Sequence, residues 1–174
     1  MQEERNELLQ IVDKNDNEIG SEIRSIVHKK KIFHRSIHVL IFNTEGKLFL
    51  QKRGQMKDES PGLWACSVSG HVDYGESYDE ACIREIEEEV GIKLTTLPEK
   101  IFKLEASEIT GNEFSWIYAM ITEQELTPRP IEIEIGQWFT LEELEHFISL
   151  NTSNIAPLFI HIWRKYNQLK VKSE

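Results

Sequence analysis

Between residues 84 and 89 the chain reads Arg84-Glu85-Ile86-Glu87-Glu88-Glu89. Wound into a helix, residues at i, i+3 and i+4 leave from one face, so Glu85, Glu88 and Glu89 converge while Glu87 points away into solvent. Three carboxylates this close repel one another unless protons or a cation intervene. Hard oxygen donors favour Mg²⁺ or Mn²⁺, cations that keep several waters and bind phosphate oxygens. Alone, such a run is more often a solvated helix face laced with ion pairs. Its surroundings argue for chemistry. Ser77 and Glu80 form a capping box that starts the helix. Gly91 stands where a C′ glycine ends it, and Gly70 and Glu76 lie in the stretch before it.

Composition sets the class of protein in which these carboxylates work. A length of 174 residues, 40% hydrophobic and 29% charged, suits one soluble domain. A net charge of −10 argues against a general nucleic-acid binder, which needs a basic face. It leaves a phosphate substrate open, because cations gathered by carboxylates present positive charge to it. No apolar run approaches the roughly 20 residues of a membrane span. The charged start Met1-Gln2-Glu3-Glu4-Arg5 is followed by no apolar signal region. With two cysteines, Cys66 and Cys82, a reduced, cytoplasmic setting away from the membrane is expected.

The elements that must position the glutamates are legible in outline. Leu8 to Val12, the turn-rich Asp13-Lys14-Asn15-Asp16-Asn17 and the apolar Ile19, Ile23 and Ile26 predict an N-terminal hairpin. His38 to Phe42 and Lys47 to Gln51, around Asn43-Thr44-Glu45-Gly46, predict a second. Pro61-Gly62 turns into a short strand from Leu63 to Val68. The helix from Ser77 to Val90 has Ile83, Ile86 and Val90 to pack on the sheet. Strands are expected at Lys100 to Ala106, Phe114 to Ile121 and Gly136 to Phe139, and helices from Leu141 to Leu150 and Ile155 to Leu169. The pattern is a mixed sheet with helices on both sides.

The segment GHVDYGESYDEACIREIEEEVGI, residues 70–92, resembles the Nudix box, in which Gly70, Glu76, Arg84, Glu85, Ile86, Glu88, Glu89, Gly91 and Ile92 fill every specified position. The resemblance implies a Nudix α/β/α sandwich with a mixed sheet, as one domain over 1–174. Its parts would be an N-terminal β-hairpin extension over 1–34, the box over 70–92 and C-terminal helices over 141–174. It implies that Glu85, Glu88 and Glu89 hold Mg²⁺, with Mn²⁺ as the alternative. Arg84 would orient these glutamates, and Gly70 would supply the bend from strand to loop. Glu76 is open between ligating metal through water and supporting the loop.

Outside the box, from about Ile11 to Tyr166, the chain resembles a narrower branch of Nudix hydrolases similar to isopentenyl-diphosphate isomerase. Val12-Asp13, His28, His34-Arg35, Gln51-Lys52-Arg53, Lys57-Asp58, Pro61-Gly62-Leu63-Trp64, Gly70-His71 and Asn112-Glu113-Phe114 carry that likeness. The isomerase requires a cysteine where this chain has Ser69, a far poorer acid or base than a thiol. It also requires a metal-site glutamate where this chain has Gly111. Its second catalytic glutamate is present, as Glu113. His28, His34 and His71 match metal-holding histidines, and both a second metal site and simple packing stay open for them. Arg53 and Lys57 are the expected diphosphate clamps, with Lys52 weaker. Trp64 and Trp116 are expected in the core rather than stacked on a base. The expected activity is Mg²⁺-dependent hydrolysis of a small-molecule diphosphate, with Glu85, Glu88, Glu89, Glu113 and Arg84 catalytic, in a monomer or homodimer. The rivals are the isomerase and a non-catalytic binding module.

Overall fold

The computed structural model describes residues 7–55, 60–130 and 133–171, so Lys57 lies outside the described residues. The chain opens with β1 (Leu8–Val12) and β2 (Glu18–Ile23), an antiparallel hairpin. Asp13 builds its turn by accepting the backbone N–H groups of Asn15 at 2.8 Å and Asn17 at 2.9 Å. A short helix, α1 (Arg24–Lys30), ends on Lys31 in the left-handed conformation and delivers the chain to β3 (His34–Phe42). β3 is the axis of the molecule. It pairs parallel with β8 (Glu113–Ile121) and antiparallel with β6 (Val68–His71), and β8 in turn pairs with β7 (Glu99–Leu104).

The second expected hairpin closes only at its turn. β3 meets β4 (Leu48–Arg53) at Phe42 and Leu48, and then the strands diverge. β4 pairs instead with β9 (Ile133–Phe139) and with β5 (Trp64–Ala65). Ser67 stitches the split: its hydroxyl accepts from Ile41 N at 2.8 Å and donates to Phe49 O at 2.6 Å. The single strand expected from Leu63 to Val68 is therefore two, β5 and β6, serving opposite sides of the split.

Alternation along β3 sends side chains to two cores. Ile37, Val39 and Ile41 pack with α2 (Tyr78–Val90). Leu40 packs with Leu144 of α3 (Leu141–Leu150) and with Phe159, Ile162 and Trp163 of α4 (Pro157–Val171). Helices thus cover both faces of a mixed sheet, as expected. On α2 the packed face is Tyr78, Ala81, Cys82, Glu85, Ile86, Glu89 and Val90. Ile83, expected to pack, is 40% exposed, because Glu85 and Glu89 share the inward face that hydrophobicity alone assigns to it. No helix among the described residues is long and apolar enough to cross a membrane.

Candidate active site

Helix α2 begins and ends as its sequence dictates. Ser77 accepts from Glu80 N while the Glu80 carboxylate accepts from Ser77 N, and Gly91 closes the helix at φ 73°. Arg84 organises its acidic side. Nε and one terminal nitrogen grip Glu76 at 2.7 and 2.8 Å, and that same nitrogen reaches His71 O at 3.0 Å. The other terminal nitrogen donates to Glu85 at 2.7 Å and to Glu88 at 3.3 Å. Glu76 also accepts Asp73 N at 3.1 Å, so its two oxygens are engaged in holding the loop to the helix.

The three glutamates expected to converge are held by different partners. Glu85 and Glu89 are buried, whereas Glu88 is exposed. Arg84 bridges Glu85 and Glu88; Glu89 accepts from Gln51 Nε2 at 3.0 Å and from Ser69 N at 3.3 Å. Burial, reinforced by the Glu89 charge and opposed by Arg84, pushes the Glu85 carboxyl up to about 8. This donor set fits a hard divalent cation: buried oxygens whose mutual repulsion Arg84 does not cancel.

Gly70 has a different task from the expected bend. It lies inside β6, opposite Ile37, and a Cβ there would stand 2.0 Å from Glu85 Cδ. The glycine is the space into which the Glu85 carboxyl is packed.

Across the sheet from α2, a second polar group forms. Parallel register sets His34 beside Glu113, and antiparallel register sets His71 beside Ser36. His34 Nε2 and His71 Nε2 each lie 3.3 Å from Glu113 Oε1, and His28, brought in by α1, lies 3.2 Å from His71 Nε2. Among the described residues, these four offer ligand atoms all within 4.8 Å of one another. Burial pushes His71 down to about 3. Burial alone would raise Glu113, but hydrogen bonds from His34 and His71 outweigh it and hold the carboxyl well below its usual range. Three imidazoles around a charged carboxylate fit a transition-metal cation or zinc.

The remaining expected residues divide. Arg53 donates to Ser69 Oγ at 3.2 Å, so it reaches the residue whose backbone N–H Glu89 accepts. Lys52 is turned to Glu134 at 2.8 Å. Trp64 packs edge-on against Phe139 and Phe147, and Trp116 packs against the α2-side core. Cys66 is buried with its thiol pushed up to about 12, which leaves it inert. Gln51 and His38 escaped sequence reasoning. Gln51 had a signal, a polar residue ending the apolar run Leu48-Phe49-Leu50.

Residues 32–159 match the model of the NUDIX domain. An isopentenyl-diphosphate Delta-isomerase of Serratia proteamaculans is 30% identical over 161 residues, covering 91% of this chain and 90% of that protein. An uncharacterized Nudix hydrolase of Streptomyces coelicolor is 32% identical over 140 residues, covering 80% of this chain and 77% of the relative. A crystal structure from Deinococcus radiodurans superposes with a TM-score of 0.72 at 25% identity, over 83% of this chain and 90% of that one. With the domain match spanning most of its length, the chain belongs to the Nudix family.

Proposed function

We propose that the chain is a Mg²⁺-dependent Nudix hydrolase that cleaves a diphosphate linkage in a small molecule, of the type in which a nucleoside diphosphate carries a further group. The family's enzymes generally use divalent cations and act on small-molecule diphosphates. One observation carries the reading: Glu85 and Glu89 are buried on one face of α2, with the Glu85 carboxyl packed into the space at Gly70 and pushed up to about 8 by burial and the Glu89 charge. Glu85, Glu88 and Glu89 are the residues to hold the metal. Bound there, Mg²⁺ supplies positive charge for the phosphate oxygens and lowers the pKa of a water. Arg84 fixes Glu85 and Glu88 while tying the loop through Glu76. Arg53 offers the diphosphate a charged donor fork. Glu113, held ionised by His34 and His71, either completes a metal shell or accepts a proton.

The isomerase reading is favoured by the named relatives and by the His28, His34, His71 and Glu113 set. Moving a double bond needs one group to deliver a proton and another to remove one. Opposite His38 stands Ser69, whose hydroxyl is engaged by Arg53 and is far too weak an acid to replace a thiol at neutral pH. The test is purified protein with Mg²⁺ and a panel of nucleoside diphosphate derivatives, alongside isopentenyl diphosphate. Release of a monophosphate product is expected, with no dimethylallyl diphosphate, and Glu88→Gln is expected to lower turnover about a hundredfold in a folded protein. Dimethylallyl diphosphate at enzyme-like rates, or near wild-type hydrolysis by Glu88→Gln, would overturn the assignment.

A further inference from the structure

The sheet face that carries Glu113 continues inward as a polar floor. Across β6, β3 and β8 its first row reads His71–Ser36–Ser115; the next is polar at Ser69 and His38 and apolar at Ile117, where the core with Leu40 and Ala119 begins. Ser36 and Ser115 satisfy each other, Oγ to Oγ at 2.7 Å. Ser69 Oγ takes a hydrogen bond from Arg53. His38 is the exception. The residue is partly exposed, yet its ring Nε2 is shut off from solvent with no hydrogen-bond partner among the described residues. Buried polar atoms are almost always paired, and an orphan costs stability that an apolar side chain at the same place would not.

The location gives that orphan a use. Ser69, the cross-strand partner of His38, gives its backbone N–H to Glu89 and its hydroxyl to Arg53. The row therefore joins the carboxylate edge to a cation that suits phosphate. Burial pushes the imidazole down to about 4, with Glu113 opposing and Arg53 assisting, so the ring is neutral at neutral pH. A neutral ring with its proton on Nε2 offers one donor and no charge, which suits an oxygen that Arg53 already attracts.

We propose that His38 is a substrate-binding residue, whose Nε2–H donates to a phosphoryl oxygen of the diphosphate beside Arg53. The assignment rests on the reading of this pocket as a diphosphate site. Ligand entry exposes Nε2 as Arg53 leaves Ser69 for the phosphate, exchanging a bond to a hydroxyl for charge-assisted ones.

Calorimetric titration of methylenediphosphonate, a diphosphate that water cannot cleave, tests this in the presence of Mg²⁺. His38→Leu is expected to weaken binding about tenfold or more, and His38→Gln, which returns an N–H near the Nε2 position, to restore it within about threefold. The melting temperature of His38→Leu should equal or exceed that of the wild type, because the orphan is gone. Should Leu fail to fold, His38→Asn, whose amide falls short of that position, replaces it with the same expected loss. Wild-type affinity in His38→Leu, or equal losses in Leu and Gln, overturns the proposal, as does a wild type that does not bind the probe. A wild type that binds the probe with this pattern yet hydrolyses nothing in the substrate panel would retire the hydrolase reading and leave His38 in place.

Discussion

Gly70 and Glu85 share one volume, and this decides what a single methyl group does to the site. A Cβ at position 70 would come 2.0 Å from Glu85 Cδ and Oε1, with Glu85 Cγ at 2.6 Å, and the buried carboxylate has little room to retreat. Gly70→Ala is therefore expected to displace Glu85 from Arg84, lowering Mg²⁺ affinity and turnover together by about ten- to a hundredfold. Titration with Mn²⁺, followed by electron paramagnetic resonance, measures the affinity directly. Unchanged affinity in a folded Gly70→Ala protein would show that Glu85 is not a ligand. The glycine and the glutamates were both visible in the sequence; the reason for the glycine was not. Helical spacing predicts which side chains share a face, but a contact between a strand backbone and a helix carboxyl fifteen residues later is a tertiary fact. The same limit hid His38, whose meaning lies in the partner that it lacks.

The N-terminal hairpin shows how far an element can be read and where its docking escapes. Turn residues announced β1 and β2, and the structure has both. Besides the backbone bonds that tie β1 to Phe33 and Val72, a buried side-chain anchor holds them to the domain: Asp16, in the left-handed conformation at φ 62°. Arg35 Nε donates to its carboxylate at 2.6 Å, Tyr78 OH donates at 2.9 Å, and Lys103 adds an ion pair. These partners sit on β3, on the first turn of α2 and on β7, so their meeting has no signature in local sequence. β4 illustrates the converse, since a good local hairpin signal yielded to better partners in β5 and β9. Because the Asp16 side chain is only 9% exposed, removing it leaves Lys103 against an aromatic wall and leaves Arg35 with only Glu18 and the backbone carbonyl of residue 16 as hydrogen-bond partners. Asp16→Ala is expected to cost about 3 kcal/mol in urea unfolding. Faster amide exchange should appear first in β1 and β2. A loss below about 1 kcal/mol, as for an exposed pair, would mean that the hairpin is held elsewhere.

At the scale of the whole molecule, the buried groups of the site oppose one another as pH changes, and the sum is a measurable curve. Unfolded histidines bind a proton near 6.5, whereas burial takes His38 to about 4 and His71 to about 3. Below pH 6.5 the unfolded chain therefore binds more protons than the folded one, and acidification destabilises by about 1.4 kcal/mol per pH unit for each histidine. Glu113, held well below its ordinary 4.5, adds to the same acid limb only below that value. Glu85 has the opposite sign. Its folded carboxyl titrates at about 8 against an ordinary 4.5, so between these values the folded chain keeps a proton that the unfolded chain has lost. Alkalinisation then destabilises by one such increment per unit. Of these groups, the two histidines outweigh Glu85 below pH 6.5 and Glu85 opposes them above it, so their sum makes metal-free protein most stable near pH 6.5. A cation at the glutamates replaces that proton, since it favours the charged carboxylate, and so removes the alkaline limb. Melting temperatures across pH 5 to 8.5 in EDTA should peak near 6.5, and the gain from Mg²⁺ should grow steadily towards pH 8. A Mg²⁺ gain independent of pH would place the cation away from Glu85.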